Sequence, residues 1–234
     1  TIVLMEAKGP LMEGIDKRCE LISVDKPRVI KSLGSMKKVF KEKSPDVIIS
    51  FQTHMNVIVS GAVLLSGKKI PLIVTEHGSI SHHLSSEFSL GTKIKNAFML
   101  TAAKLLYKRA KRVVGVSEGV TQEYKKFAGL SDQQAESIST PIVTSKLLAQ
   151  IQEEPTHQWL VEKKQPVVIS MGRLEPVKDQ LTLLKAFKLL QERLDACLII
   201  YGEGSLRGEL ERYIADNNLS NYVDLPGINL YPFR

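Results

Sequence analysis

The chain has 234 residues, 43% of them hydrophobic and 24% charged, with a formal net charge of +7. A chain of this size and composition can bury one large core or two modest ones, and its charged fraction argues against disorder. No apolar run approaches the roughly 20 residues of a membrane-spanning helix. The opening TIVLMEAKGP also lacks the basic, apolar, small-residue order of a signal peptide.

In chain order, short β-branched runs alternate with longer stretches of helical period. ELISV, DVIIS, PLIVT, RVVGV, PVVIS, ACLII and YVDL predict strands. Between them, helices are expected over Pro27 to Lys43, Val57 to Ser66, Thr92 to Lys111, Gly119 to Phe127, Val177 to Arg193 and Leu206 to Asn217. Near-continuous apolar strands separated by helices imply parallel sheets covered on both faces, a doubly wound α/β architecture. The two cysteines, Cys19 and Cys197, fall in strand-like runs in different halves. They are expected as buried, reduced thiols of a cytoplasmic protein.

The rhythm breaks once, in TSKLLAQIQEEPTHQWLVEKK, where a short helix is followed by Pro155 and polar residues without a strand. A linker is expected at 151–165, between a first domain at 1–150 and a second at 166–234. The charge changes at the same point. Residues 1–150 carry 22 Lys and Arg against 13 Asp and Glu, net +9, and residues 151–234 carry 10 against 12, net −2. A boundary between two α/β domains of opposite charge is a common place for a ligand cleft.

The basic excess is concentrated from Phe88 to Ser117, which holds seven Lys and Arg and no acid. At roughly 100° per residue, Lys93, Lys104, Lys108 and Lys111 fall within about 60° of one another. Ile94, Phe98, Met99, Ala102, Leu105 and Leu106 cover the opposite arc. The stripe reads as a solvated outer face or as a surface that adsorbs to anionic membrane, where each cation contributes on the order of 1 kcal/mol. Nucleic acid is not expected as a partner, because no aromatic stacking platform interrupts the lysines.

The chemical signals lie in the second half. PVVIS ends at Gly172-Arg173, with Lys178 before the next helix, and ACLIIY ends at Gly202-Glu203-Gly204. Both glycine turns then lie at the carboxyl edge of one sheet, where parallel sheets bind phosphates. Glycines let backbone approach, and an arginine with a lysine neutralises anionic oxygens. Gly202-x-Gly204 with Asp224 twenty residues on imitates a dinucleotide fingerprint, but the glycines continue as S-L-R-G and the motif sits on the domain's second strand.

The order S-x-G-R-L-x-x-x-K-D, the helix LLKAFKLL, then LIIYGEGSLRGELERYI and YVDLPG resembles the donor-binding domain of family-4 retaining glycosyltransferases of the GT-B fold. In the first half, AKRVVGVSEGV resembles that family's strand and serine-containing turn, and PLIVTEHGS its acceptor-side strand ending in a histidine. The resemblance implies two Rossmann-like domains facing a cleft. It also implies transfer of a sugar from a nucleoside diphosphate to an acceptor hydroxyl with retained configuration. On this reading Arg173 and Lys178 bind the donor diphosphate and stabilise the leaving nucleotide. Gly172 and Gly204 give the ligand backbone access, Ile228 lies near the base, and His77 points toward the transferred sugar or acceptor.

No cofactor is implied and no metal is expected, because no D-x-D occurs anywhere in the chain and His77, His82 and His83 lack usable metal spacing. The expected partners are a nucleotide-sugar, a glycan or lipid-linked acceptor and an anionic membrane surface. The location is the cytoplasmic face of a membrane, in polysaccharide, lipopolysaccharide or glycolipid assembly. Alternatives are a catalytically inactive binding module and an NAD-dependent oxidoreductase. Relative to the family pattern the chain is expected to lack the first strand with its glycine-rich loop, and the later E-x₇-E region, leaving the second domain incomplete. Glu203 with Glu211, and Glu154 with Glu162, keep that spacing but are expected to be decoys.

Overall fold

The computed structural model describes residues 1–9, 12, 14–26, 28–83 and 89–229. The chain divides into two units, Thr1–Thr140 and Pro141–Arg234. The first unit opens with two short parallel strands, β1 (Ile2–Leu4) and β2 (Leu21–Ser23). Then follow α1 (Leu33–Lys43), β3 (Ile48–Phe51), α2 (Thr53–Ser66), β4 (Leu72–Glu76), α3 (Ile80–His83), α4 (Leu90–Leu106), β5 (Arg112–Gly115), α5 (Glu118–Ala128) and β6 (Ala135–Ser137). β3 to β6 form one parallel sheet in sequence order.

This sheet forms because β4 alternates buried Leu72, Val74 and Glu76 with partly exposed residues, while β5 buries Val113, Val114 and Gly115. Helix α2 is apolar over most of its length and stops at Gly67, whose left-handed backbone donates to the Leu64 carbonyl. Met36, Phe40, Val59, Ala62, Val74, Tyr107 and Tyr124 are central to the core of this unit.

The second unit contains α6 (Ser145–Gln150), α7 (Gln158–Glu162), β7 (Val167–Met171), α8 (Gln180–Gln191), β8 (Cys197–Tyr201), α9 (Arg207–Asp216) and β9 (Val223–Gly227). Its strands are parallel in the order β7-β8-β9, so β8 is central and Cys197 through Ile200 are fully buried. Burying each of Leu198, Ile199 and Ile200 contributes roughly 1.5–3 kcal/mol. Leu174, Leu184, Phe187 and Leu210 close the core around them.

The expected βα alternation is present, with particular differences. The strands β1 and β6 were not expected; each has three residues, and β6 is the largely polar Ala135-Glu136-Ser137. The helix Ser145–Gln150 falls in the second unit, and α7 occupies part of the expected linker. Pro27, where the first helix was expected to begin, and Phe88, the start of the basic segment, lie outside the described residues. Cys197 is buried as expected, whereas Cys19 is exposed, in a turn where its N–H donates to the Asp16 carbonyl.

The basic helix is shorter and differently rotated than its period implied. It ends at Leu106, is followed by a single 3₁₀ turn at Tyr107–Arg109, and leaves Lys111 off the helix just before β5. Leu100 and Ala103 face the core, while Ile94, Phe98 and Leu105 are 64%, 75% and 65% exposed. The apolar arc expected to pack inward therefore lies partly outward, beside Lys93, Lys104 and Lys108. Fully buried Tyr107 accounts for the rotation: its hydroxyl donates to Glu76 at the end of β4 and fixes the phase of the chain entering β5.

Candidate functional site

The carboxyl edge of the second unit's sheet is built from two turns packed against each other. The Gly172 N–H donates to the Tyr201 carbonyl at 3.0 Å, Leu174 to Glu203 at 2.9 Å, and Leu206 to Leu174 at 2.9 Å. A Cβ on Gly202, at φ +145°, would lie 1.9 Å from the Gly172 oxygen. One on Gly204 would lie 2.3 Å from the Leu174 oxygen. Turn-against-turn packing thus accounts for both glycines, a cause different from the ligand access expected at Gly204.

Gly172 is different, since a Cβ there would meet only the Lys178 side chain, at 3.6 Å in ordinary contact. The aliphatic stem of Lys178 therefore lies over Gly172 at the end of β7 and holds its ammonium near the edge. Arg173 follows Gly172 directly and is exposed. Its carbonyl accepts from buried Gln180 in the first turn of α8 at 2.8 Å, so its backbone is fixed while its guanidinium stays in solvent. Among the described residues neither cation makes a hydrogen bond or an ion pair through its side chain.

Two charged residues that the sequence reading passed over, Glu175 and Arg207, organise this edge. Glu175 accepts from the Ser205 hydroxyl at 2.9 Å and the Ser205 N–H at 3.2 Å, joining the β7 turn to the start of α9. These bonds, with help from the Arg173 charge, hold its carboxyl below the usual range. Arg207 grips Glu203 through two nitrogens at 2.6 and 2.8 Å, reaches Glu211 at 2.9 Å, and donates to the Leu225 carbonyl at 3.2 Å. Glu203 and Glu211 are both engaged by that arginine, and the two i,i+4 spacings around it were the signal available in the sequence. Asp224 lies in the amino half of β9 and meets His157 Nε2 at 2.9 Å. His157 Nδ1 accepts from the Trp159 N–H, so Nε2 carries the proton in the neutral ring and donates to Asp224. Ile228 follows left-handed Gly227 and is exposed at the same edge.

His77 belongs to the first unit, directly after β4, and is exposed. Its Nε2 lies 3.3 Å from the Thr75 hydroxyl and its ring centroid 5.9 Å from that of Phe51. Beneath it Glu76 is fully buried. The Thr53 hydroxyl donates to Glu76 at 2.6 Å and the Asn56 amide at 2.9 Å, and Tyr107 donates as well. Since Thr53 has given its single proton to Glu76, it accepts from the Tyr124 hydroxyl at 3.2 Å. This network was not read from the sequence, where a glutamate ending an apolar strand looks like a solvated residue.

The model of Glycosyltransferase Family 4 matches residues 11–146, more than half of the chain. The chain belongs to glycosyltransferase family 4. The model of the glycosyl transferases group 1 matches residues 151–229, which include the edge just described. A relative named uncharacterized glycosyltransferase MJ1059, from Methanocaldococcus jannaschii, is 28% identical over 88% of this chain and 51% of its own length. N-acetylgalactosamine-N,N'-diacetylbacillosaminyl-diphospho-undecaprenol 4-alpha-N-acetylgalactosaminyltransferase of Campylobacter jejuni is 25% identical over 85% of this chain and 50% of its own. The chain thus spans about half the length of the curated relatives it matches. Among solved structures, Anabaena HepE in complex with UDP and glucose superposes with a TM-score of 0.64 at 19% identity, over 92% of this chain and 57% of that one. That likeness shows the GT-B fold.

Proposed function

We propose that the chain carries out sugar transfer from a nucleoside diphosphate-sugar to an acceptor hydroxyl, with retention at the anomeric carbon. The observation that carries this reading is the pair Arg173 and Lys178, held at the carboxyl end of β7 with no ion-pair partner among the described residues. As the bond from the anomeric carbon to the diphosphate oxygen breaks, its electron pair goes to the diphosphate, the acceptor hydroxyl oxygen bonds to that carbon on the same face, and the hydroxyl proton passes to the departing phosphate. A guanidinium and an ammonium already in place stabilise that charge without reorganisation. The two cations supply this charge without a metal ion. His77, at the corresponding edge of the first unit's sheet, serves the acceptor or the sugar. Ile228 lies near the base through main-chain contacts.

The UDP and glucose bound by HepE support the donor class. The name of the Campylobacter relative, a transferase acting on a diphospho-undecaprenol-linked sugar, supports a lipid-diphosphate-linked glycan as acceptor. A peripheral position on the cytoplasmic face of a membrane fits the outward Ile94, Phe98 and Leu105 of α4 beside its lysines. Among the described residues no helix is long and apolar enough to cross a membrane.

The test is turnover of UDP- and GDP-sugars followed by proton NMR of the anomeric signal. We expect retained configuration in the first-formed product, and a loss of about a hundredfold in rate for Arg173→Ala. Inverted product, or thermal stabilisation by NAD but by neither nucleoside diphosphate, would overturn the reading.

A further inference from the structure

The first unit has a concave feature at the amino edge of its sheet, opposite the edge that bears His77. A cavity of about 780 Å³ opens there among the end of α2, the 3₁₀ turn after α4, the turn before β6 and the starts of β4 and β5. Val63, Leu64, Ile70 and Leu106 give it apolar walls. Lys68, Lys69, Arg109, Lys111 and Arg112 line it as well, and no Asp or Glu does among the described residues. Lys68 is occupied by the Lys41 carbonyl and the Ser44 hydroxyl, and Arg112 approaches Glu136 at 3.9 Å. Lys69, Arg109 and Lys111 have no hydrogen-bond or ion-pair partner for their side chains among the described residues.

The walls are fixed before any ligand arrives. The Lys111 N–H donates to the Leu72 carbonyl at 2.7 Å, and the Val113 N–H to the Gln134 carbonyl at 2.7 Å. The Gln134 side chain donates to the Lys108 carbonyl at 3.2 Å, tying the remaining turn to the same frame. Three free cations over an apolar wall suit a molecule with both characters. A purely hydrophilic anion leaves the leucine surface wet, and a nucleotide finds no aromatic ring to stack on among the lining residues.

We propose that this cavity binds an amphiphilic phosphate, a phosphate headgroup on Lys69, Arg109 and Lys111 with its hydrocarbon along Leu64 and Leu106. It does not depend on the sugar-transfer reading. Cations at helix C-termini also offset the helix dipole, but that role would appear as lost stability without any ligand effect.

The experiment is calorimetric titration of the full chain with dioctanoyl phosphatidate below its micelle concentration, with inorganic phosphate and dioctanoyl phosphatidylcholine as comparison ligands. We expect saturable binding of the phosphatidate and binding of inorganic phosphate at least about tenfold weaker, with none of the zwitterionic lipid. Combining Lys69→Gln, Arg109→Gln and Lys111→Gln should weaken phosphatidate at least about tenfold, as should Leu64→Asn alone, with melting temperature reporting on the fold. Unchanged affinity in the charge variant would overturn the proposal. Equal binding of inorganic phosphate would overturn it too, by removing the apolar wall from recognition.

Discussion

Gly202 combines φ +145° with a Cβ position 1.9 Å from the Gly172 oxygen, so neither backbone nor neighbour tolerates a side chain there. Gly202→Ala should therefore destabilise the second unit by about 2 kcal/mol or more, measured by denaturant unfolding. Gly172→Ala, whose Cβ meets only the stem of Lys178, should cost far less, and equal losses would contradict the packing account. The buried network around Glu76 makes a pH-dependent prediction. Burial foremost, then the Glu76 charge, pushes the pKa of Tyr107 and of Tyr124 above the ordinary tyrosine value. The folded state thus holds these protons more tightly than the unfolded chain. Their contribution is complete below about pH 10 and is lost as pH rises above it. Tyr107→Phe should flatten the alkaline fall in stability. At neutral pH it should cost about 1–3 kcal/mol, because Glu76 loses a buried donor. An unchanged alkaline profile would show that Tyr107 does not titrate with unfolding.

At the scale of the element, α4 shows what a periodic pattern can and cannot specify. The sequence placed an apolar arc and a lysine stripe on one helix, but its period does not say which arc turns inward. The buried bond from Tyr107 to Glu76, between residues 31 apart in sequence, decides the rotation. Lys104 also sits 5.7 Å from the Phe127 ring, which turns it toward α5. Replacing Lys93 and Lys108 by Gln, together with Phe98→Ser, should weaken co-sedimentation with anionic vesicles, by about 1 kcal/mol for each lysine. Added salt should reduce binding of the parent chain. Insensitivity to both would leave the exposed face without a membrane role. The long apolar strands were legible because burial on both faces leaves continuous β-branched runs, as in β8. The three-residue β1 and β6 were not, since so short a segment carries no period. Arg173 and Lys178 were legible as cations after a strand. The reason for Gly204 was not, because it lies in the backbone of Leu174, 30 residues away.

Across the whole molecule, the two units share one construction, parallel strands that alternate with helices, yet differ in charge. The first unit holds 21 Lys and Arg against 13 Asp and Glu, net +8, and the second 11 against 12, net −1. The free cations of the second half thus stand out against an acidic background, while those of the first half continue a basic surface. A fold of this kind hosts many reactions, so the site must carry the functional claim. That claim is that Arg173 and Lys178 hold the diphosphate of a nucleotide. Its most direct measurement is calorimetric titration of UDP and GDP, and of uridine and guanosine, into the parent chain, Arg173→Ala and Lys178→Ala. At about 1.5–3 kcal/mol for each charge-assisted contact, either variant should bind the preferred diphosphate about ten- to a hundredfold more weakly, with nucleoside binding nearly unaffected. Equal losses for diphosphate and nucleoside, or no loss for either, would contradict the account.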